Sequence, residues 1–353
     1  MDISLRSFDF KLDLRRQREL FKDCFPETVG DSIQSEAHYI WKFHSLGTPS
    51  SWEYICENGE ELVGYYAALP YKYKIGGVFT IVGMVCDVMT SSKYRGKGIF
   101  TKLGNYSTRE LSYDVPFTMG YPIRPDVIPG HLKIGWKVAF RLPLYIKFVK
   151  SDSLLKRYRL KLFCPIVNVF LKFYNNIVKQ RANNKYSSFI YNDLENVCDF
   201  EKFIDKWQSI VDNVLVKNIY FYKWRFGAPG REYIFLAVKK EEKTVGLVVL
   251  RQIVKYEVPT LCIIDYMVIP GHEKCHGNIN KSLKELAILK NAEALMTMMS
   301  KVSARKYKLI NNGFFRSPFS FKLIIKNLTN KFSNDQLFDK KRWHLMWVDS
   351  DDL

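Results

Sequence analysis

One stretch in the first third of the chain passes from an apolar strand through a basic glycine loop into an amphipathic helix. Residues 78–90, VFTIVGMVCDVMT, are rich in β-branched and apolar residues and predict a strand. Residues 91–98, SSKYRGKG, are basic and contain two glycines. In the following residues 99–112, Ile99, Leu103 and Tyr106 recur at helical spacing. The glycine loop is therefore predicted to lie between a strand and the first turn of a helix.

The order of predicted elements occurs twice along the 353 residues. In the first half, a helix at 11–24 and three hairpin-linked strands come before the loop, and from about Asp193 a similar order begins again. We therefore expect an α/β (α+β) fold with two tandem domains, each a mixed, mostly antiparallel sheet flanked by helices. The predicted division is a first domain at 1–150, a basic helical connector at 151–190 and a second domain at 191–353.

Cysteine usage and the absence of targeting segments indicate a cytoplasmic protein. The seven cysteines are scattered and contain no Cys-x-x-Cys pair, so free and mostly buried thiols are expected. The start MDISLRSFDF lacks the pattern of a secretory signal, and no stretch approaches the ~20 apolar residues of a membrane span.

The formal net charge of +18 favours anionic partners. No nucleic-acid-binding motif is visible and the charge is spread along the chain, so a nucleic-acid partner is not expected. His272, Cys275 and His276 crowd a single loop without a second distant pair of metal ligands. That loop is predicted to be solvated, and no metal is expected.

The glycine loop has the chemistry of a pyrophosphate site. Gly96 and Gly98 let the backbone approach a ligand closely, and the free N–H groups at a helix start attract an anion. Arg95 and Lys97 add positive charge beside these amides. A loop of this composition could also be a plain surface turn if it is considered alone.

The surrounding pattern resembles the GNAT acetyltransferase family over the whole first domain. That family's acyl-CoA loop, Arg/Gln-x-x-Gly-x-Gly/Ala, is met by Arg95-Gly96-Lys97-Gly98-Ile99, with Phe100 in place of the last small residue. The resemblance implies acetyl-CoA or another acyl-CoA as co-substrate, with pantetheine paired to the main chain of residues 88–90 as an added strand. The predicted cofactor-binding residues are Val88, Met89, Thr90, Arg95, Gly96, Lys97, Gly98, Ile99 and Phe100.

Residues 119–148 also resemble the tandem-GNAT proteins often associated with bacterial surface polysaccharide synthesis. In that group a Phe-Pro-Asn turn comes before a Leu-Gly-Trp ending, whereas the turn here is Tyr121-Pro122-Ile123 and lacks the Asn. This resemblance alone implies that the acceptor is a small amine, such as an amino sugar.

Acyl transfer to an amine by direct attack needs a base for the nucleophile and an acid for the departing thiolate. Asp87, the one carboxylate in its strand, is the candidate base, and a salt-bridging residue at the strand end is the alternative. The family places a Tyr about four residues before Gly-Phe, and the same position before Gly135-Trp136 holds His131, the candidate acid. A surface or packing role is the alternative for His131, and Tyr121 is a second candidate acid.

The second half lacks this loop, because VIPGHEKCHGNIN keeps Lys274 and Gly277 without Arg-Gly-x-Gly. Its role is predicted to be acceptor binding or structural support. The basic, apolar segment 151–186 has two interpretations. It is either an interdomain helix pair with its apolar face packed on both domains, which we prefer, or an amphipathic segment in peripheral contact with an anionic membrane.

The sequence leaves two rival functions open. Transferases of the peptidoglycan-bridge type also pair GNAT-like domains but use aminoacyl-tRNA, and such a function would explain the positive charge without a working CoA loop. Copurification of tRNA would identify it. A pair of retired transferase domains acting as a scaffold in polysaccharide assembly is the other alternative, and the intact loop argues against it.

Overall fold

The computed structural model describes residues 2–47, 49–178 and 181–351, and in these ranges thirteen strands form one sheet. The strands are β1 (Ile3–Ser7), β2 (Trp52–Asn58), β3 (Glu61–Ile75), β4 (Val78–Thr90), β5 (Phe117–Gly120), β6 (Lys137–Phe148), β7 (Ser187–Tyr191), β8 (Val214–Leu215), β9 (Ile234–Lys240), β10 (Lys243–Lys255), β11 (Val258–Val268), β12 (Ala294–Met298) and β13 (Phe315–Asn327). The helices are α1 (Phe10–Cys24), α2 (Glu36–His44), α3 (Ile99–Leu111), α4 (Ile128–Lys133), α5 (Asp152–Arg157), α6 (Cys164–Ile177), α7 (Phe200–Ser209), α8 (Ile219–Phe226), α9 (His276–Leu289), α10 (Lys301–Lys306) and α11 (Asn334–Phe338).

Local signals explain where the first helix begins and ends. The Asp9 carboxylate accepts hydrogen bonds from the amides of Lys11 and Leu12, which satisfies donors that the helix itself leaves free. Pro26 follows directly after the C-cap residue Phe25. The predicted helix at 11–24 is therefore confirmed as α1. The strand β1 and the helix α2 were not predicted from the sequence.

The two halves of the chain share the sheet by exchanging strands. Along the sheet the order is β1-β2-β3-β4-β5-β13-β6-β12-β11-β10-β9-β7, and β8 pairs with β3. The last strand of the second half, β13, thus lies between β5 and β6 of the first half. In turn, β6 lies between β13 and β12. The expected class, a mixed, mostly antiparallel sheet flanked by helices, is confirmed. The division into 1–150, 151–190 and 191–353 stays a prediction.

This exchange replaces an expected local pairing. Residues 136–149, WKVAFRLPLYIKFV, were expected to form closing strands of the first domain, but they form the single strand β6. The partners of β6 come instead from β12 and β13, more than a hundred residues further along the chain. Strand pairing over such a distance depends on the packed structure and leaves no local trace in the sequence.

Two tryptophans mark the junction between the halves. The rings of Trp41 in α2 and Trp224 in α8 stack with centroids 5.3 Å apart. Each indole N–H donates to the other residue's carbonyl oxygen, at 2.7 Å from Trp41 and 2.8 Å from Trp224. The two residues therefore make the same contacts in opposite directions and join α2 of the first half to α8 of the second.

The cysteines are mostly buried and form no disulfide within the described residues, as expected. Cys198 is the exposed one. Among the described residues, no helix is both long enough and apolar enough to cross a membrane.

Candidate active site

The strands β4 and β5 separate to open a cavity of about 540 Å³. Their parallel pairing covers Gly83 to Val85 and ends at the pair Val85 and Gly120. Beyond this point β4 continues to Thr90 with its other edge still paired to β3. The edge of β4 that faces the cavity therefore has main-chain groups available over residues 86–90, and Val88, Met89 and Thr90 line the cavity. This is the edge that we expected to pair with pantetheine.

A bulge in β4 places Asp87 in the cavity wall. The pairing register of β4 with β3 shifts between the Ala67–Cys86 and Tyr65–Met89 pairs, and Asp87 has a left-handed φ of 47°. Bulges bend a strand and redirect side chains, and they are frequent beside active sites. The Asp87 side chain is 13% exposed.

The glycine loop forms the wall at the start of α3. Gly96 and Gly98 have φ values of 78° and 80°, and Gly98 is the N-cap residue of α3, without a side-chain capping hydrogen bond. The amides of a helix's first turn have no partner within the helix, so they are free to bind a ligand. Both glycines, with Arg95, line the cavity.

The remaining loop residues divide into cavity-lining residues and one that lies elsewhere. Ile99 and Phe100 line the cavity, whereas Lys97 is not among the lining residues, and its ammonium lies 4.7 Å from the Tyr94 ring centroid. A methyl group added at Gly130 in α4 would lie 2.7 Å from a Phe100 ring carbon. The large residue that departs from the family pattern is thus accommodated by a glycine on the facing helix.

Two carboxylates and one ammonium form a cluster in the cavity wall. Lys42 Nζ lies 3.0 Å from Asp87 Oδ1 and 2.9 Å from Asp351 Oδ2. Burial by itself lowers the pKa of Lys42, but the charges of Asp351 and Asp87 outweigh it and raise that pKa well above its ordinary value. Asp87 thus forms a salt bridge, as its alternative interpretation expected, and it also lines the cavity.

Ligand atoms of Cys86, Asp87 and Asp351 lie within 4.8 Å of one another, a spacing that a metal ion could bridge. The ammonium of Lys42 already contacts both carboxylates of this trio. A dication at the same place would face that ammonium at short range, so the charges favour an ion-pair cluster over a metal centre.

Both candidate acids, Tyr121 and His131, line the cavity, but they differ in their hydrogen bonding and in the direction of their pKa shifts. Tyr121 is 5% exposed, and its hydroxyl has no hydrogen-bond partner among the described residues. Burial, with smaller contributions from Asp349 and Tyr71, raises the pKa of Tyr121 well above its ordinary value. The phenol therefore stays protonated at neutral pH.

His131 lies between two aromatic rings, with centroids 5.0 Å from Phe100 and 5.2 Å from Trp136. Burial lowers the pKa of His131, and a contact of 3.0 Å between Nδ1 and the Val127 carbonyl oxygen opposes this effect. Since a carbonyl oxygen can only accept, Nδ1 carries the proton and Nε2 is left as an acceptor in the neutral ring. His131 thus has the packing contacts of its alternative interpretation as well as a place in the cavity wall.

The corresponding position in the second half is covered by the chain itself. A methyl group added at Gly277, in the first turn of α9, would lie 2.1 Å from the Arg181 carbonyl oxygen. Asn278 exchanges hydrogen bonds with the main chain of Asn183, at 2.9 Å and 3.2 Å. The connector therefore packs directly against the first turn of α9, whereas the glycine loop at the start of α3 lines a cavity.

The prediction that His272, Cys275 and His276 form a solvated loop was wrong. Cys275 and His276 are buried, and His276 Nδ1 lies 2.7 Å from the Tyr266 hydroxyl. The apolar side of α9 faces the sheet and draws these residues inward. The structure does not group the three as metal ligands within the described ranges.

Sequence reasoning missed Lys42 and Asp351. Lys42 lies in a helix that was not predicted, and Asp351 lies 264 positions after Asp87 in the sequence. The one available signal was the apolar run WHLMWV just before the acidic end of the chain, because such a run is expected to be buried. It indicates that the tail returns to the core, although not to which part.

Comparisons with known proteins agree with this geometry. Residues 11–139 match the family described as the acetyltransferase (GNAT) domain. No curated protein matches the chain by sequence.

Solved structures share the fold over nearly the whole chain. A GCN5-related N-acetyltransferase from Anabaena variabilis is 13% identical, with a TM-score of 0.66 over 93% of this chain and 73% of its own. A probable N-acyltransferase from Enterococcus faecalis is 9% identical, with a TM-score of 0.67 over 93% and 73%. The Saccharomyces cerevisiae N-myristoyltransferase, solved with myristoyl-CoA and inhibitors, is 12% identical, with a TM-score of 0.62 over 97% and 85%.

The loop at the start of α3 and the separated strands β4 and β5 lie within or directly beside the matched residues, and the exchanged strands extend the same fold through the second half. Residues 11–139 thus match the acetyltransferase (GNAT) domain by sequence, and the chain shares the fold of the solved structures over nearly its whole length.

Proposed function

We propose that the protein transfers an acyl group from acyl-CoA to a primary amine. The observation that carries this proposal is the cavity between β4 and β5, which is bounded on one side by an open strand edge and on another by the uncapped start of α3. A thioester carrier needs both features. The open edge can pair with the amides of pantetheine, and the helix start can bind the pyrophosphate.

The binding of the carrier follows from the positions of these residues. The main chain of residues 88–90 pairs with pantetheine, and Arg95, with the amides that follow Gly96 and Gly98, binds the pyrophosphate. The myristoyl-CoA bound to the similarly folded yeast N-myristoyltransferase supports an acyl-CoA as the co-substrate. Acetyl-CoA is the form that the family resemblance implies.

The acceptor is an amine, and the two carboxylates in the cavity wall support this assignment. Asp87 and Asp351 together carry two negative charges, and the single ammonium of Lys42 balances one of them. The remaining negative charge attracts an ammonium group and stabilises it beside the carboxylates. An amino sugar or another small amine fits this chemistry, and the amino sugar rests on the resemblance alone.

The reaction proceeds by direct attack and needs two proton transfers. Asp87 accepts a proton from the ammonium of the acceptor, and the free amine attacks the thioester carbonyl carbon. The new C–N bond forms, the C–S bond breaks, and the CoA thiolate takes a proton from the Tyr121 hydroxyl. The new amide nitrogen then loses a proton, the tyrosinate regains one, and Asp87 gives up the proton that it accepted. One proton is released to solvent overall.

Tyr121 is better suited than His131 to protonate the thiolate. The Tyr121 phenol is protonated at neutral pH, lines the cavity and has no other described partner for its proton. Neutral His131 holds its one proton at Nδ1 near the Val127 carbonyl oxygen. We therefore assign proton donation to Tyr121, and to His131 the packing of Phe100 against the loop.

Isothermal titration calorimetry with acetyl-CoA tests the carrier site. The double variant Arg95→Ala/Gly98→Ala should abolish measurable binding, because it removes the guanidinium and strains the turn that presents the amides. The matched control is Arg109→Ala/Gly77→Ala. Gly77 has a similar φ of 86° with the same open space around it, and Arg109 lies near the other end of α3.

The control variant should bind acetyl-CoA as the unmodified chain does. Equal affinity of the double variant and the unmodified protein would contradict the proposed site. Equal losses in both variants would also contradict it, since backbone strain remote from the loop would then explain the result.

A further inference from the structure

Helix α6 turns its apolar side chains toward solvent. The buried residues of α6 are Cys164, Leu171 and Asn175. Five apolar side chains of this helix are 63–70% exposed, namely Ile166, Val169, Phe170, Phe173 and Ile177. Our preferred interpretation, in which this helix packs its apolar face on the two domains, is therefore wrong.

Polar groups hold α6 to the rest of the protein in addition to its few buried residues. Asn175 donates to the Phe148 carbonyl oxygen at 2.9 Å, and Asn168 accepts hydrogen bonds from the amide and hydroxyl of Ser151. Lys284 of α9 donates to Asn176 at 3.0 Å. The helix is thus fixed in an orientation that is the reverse of an ordinary surface helix, which buries its apolar stripe.

The residues just before α6 enlarge this surface. Leu162 is 92% exposed and projects at the turn between α5 and α6. On the other side, the ring of Phe315 stacks on Tyr174 with centroids 5.4 Å apart, and Phe315 is itself 47% exposed. We define the apolar face as Leu162, Ile166, Val169, Phe170, Phe173 and Ile177. A contiguous exposed surface of this kind marks an interaction site.

The charge around the apolar face is mainly positive, and Asp152 at the start of α5 is the one acidic residue of the α5–α6 segment. No aspartate or glutamate occurs from residue 153 to residue 192. Five cations in this part of the chain are exposed around the helices, namely Lys156, Arg157, Arg159, Lys161 and Lys172. The partner of this face is therefore anionic as well as able to take up apolar side chains.

We propose that the α5–α6 segment binds the surface of an anionic lipid membrane. The apolar face enters the boundary between headgroups and acyl chains, and the surrounding lysines and arginines contact the anionic headgroups. A lipid surface fits these observations better than a protein groove. The side chains project from a convex turn and a single helix, and a bilayer accepts projecting groups without a matching shape.

The test is flotation of the full-length protein with lipid vesicles in a density gradient. One set of vesicles contains phosphatidylcholine and phosphatidylglycerol in equal amounts, and the other contains phosphatidylcholine alone. The unmodified chain should float with the anionic vesicles and much less with the neutral ones. Added salt should release part of the bound protein, because it screens the headgroup charge.

Three variants separate the contributions. Phe170→Gln/Phe173→Gln should weaken partitioning on the order of tenfold on anionic vesicles, since it removes two inserting rings. Arg159→Gln/Lys161→Gln should weaken it by a similar factor and reduce its salt dependence. The matched control is Ile288→Gln/Leu289→Gln, two exposed apolar residues at the end of α9, which should leave partitioning unchanged.

Circular dichroism should show that each variant is folded, because the substituted side chains are exposed. The proposal is overturned if the unmodified chain stays in the aqueous fraction with anionic vesicles, or if the control variant loses binding as strongly as the phenylalanine variant. It is also overturned if the chain forms a lipid-independent dimer that only Phe170→Gln/Phe173→Gln dissociates, since the face would then bind a second copy.

Discussion

Removal of the Lys42 ammonium should destabilise the fold, because two carboxylates would remain close together in the cavity wall. The oxygens of Asp87 and Asp351 lie within 4.8 Å of each other. Two unit charges at this distance repel by about 3 kcal/mol at an effective dielectric constant of about 20. The loss of one member of a largely buried ion pair typically costs about 3–5 kcal/mol. Lys42→Met should therefore lower the free energy of unfolding by about this amount.

Urea denaturation at neutral pH, followed by tryptophan fluorescence, measures the change. The matched control is Lys74→Met, because Lys74 is also buried but donates to the carbonyl oxygen of Gln208 and forms no salt bridge within the described residues. Its loss should cost about 1 kcal/mol, the value of an ordinary hydrogen bond. A second substitution, Lys42→Met/Asp351→Asn, should recover most of the loss by removing the repulsion.

The reasoning is refuted if Lys42→Met costs no more than Lys74→Met, or if Asp351→Asn in the variant background restores nothing.

Three further predictions follow from the described contacts. Tyr121→Phe should lower kcat on the order of a hundredfold in steady-state kinetics, with the acetyl-CoA affinity unchanged in calorimetry. A larger loss of kcat in His131→Gln would instead assign proton donation to the histidine. Gly130→Val should displace the Phe100 ring, which lies 2.7 Å from the added Cβ, and weaken acetyl-CoA binding; unchanged affinity would show that Phe100 does not shape the site. Burial by itself raises the pKa of Asp265. The interactions with Lys217 and His344 outweigh this effect and lower that pKa to about 2 in the folded protein. Its contribution of about 2 kcal/mol is present above about pH 4 and is lost as the pH falls toward 2, so Asp265→Asn should flatten the acid limb of stability against pH in urea titrations.

The site could be predicted where its residues are close together in the chain. The strand 78–90, the loop that follows it and α3 are contiguous, and their hydrophobic period and glycines specify the local backbone. The cavity residues from Val88 to Thr90 and from Arg95 to Phe100, Lys97 excepted, were therefore identified before the structure. The roles of Asp87, Tyr121 and His131 stay predictions, although all three line the cavity.

Other parts could not be predicted, because their contacts are far apart in the chain. The strand β13 enters the sheet of the first half through pairing with β5 and β6. Asp351 reaches Asp87 through the returning tail, and Lys42 completes the cluster from α2. In each case the sequence of the segment does not indicate which partner it contacts, since many apolar strands and many carboxylates would have fitted equally well.

The sequence by itself determined the repeated order of elements, the strand, loop and helix of the carrier site, and the loss of the glycine pattern in the second half. These properties depend on neighbours within a few turns of chain, where backbone preference and hydrophobic period act directly. The tertiary structure decided the strand exchange, the carboxylate cluster and the outward orientation of the apolar face on α6. Those features depend on which surfaces remain uncovered once the sheet has formed. Packing across the whole molecule determines which surfaces these are.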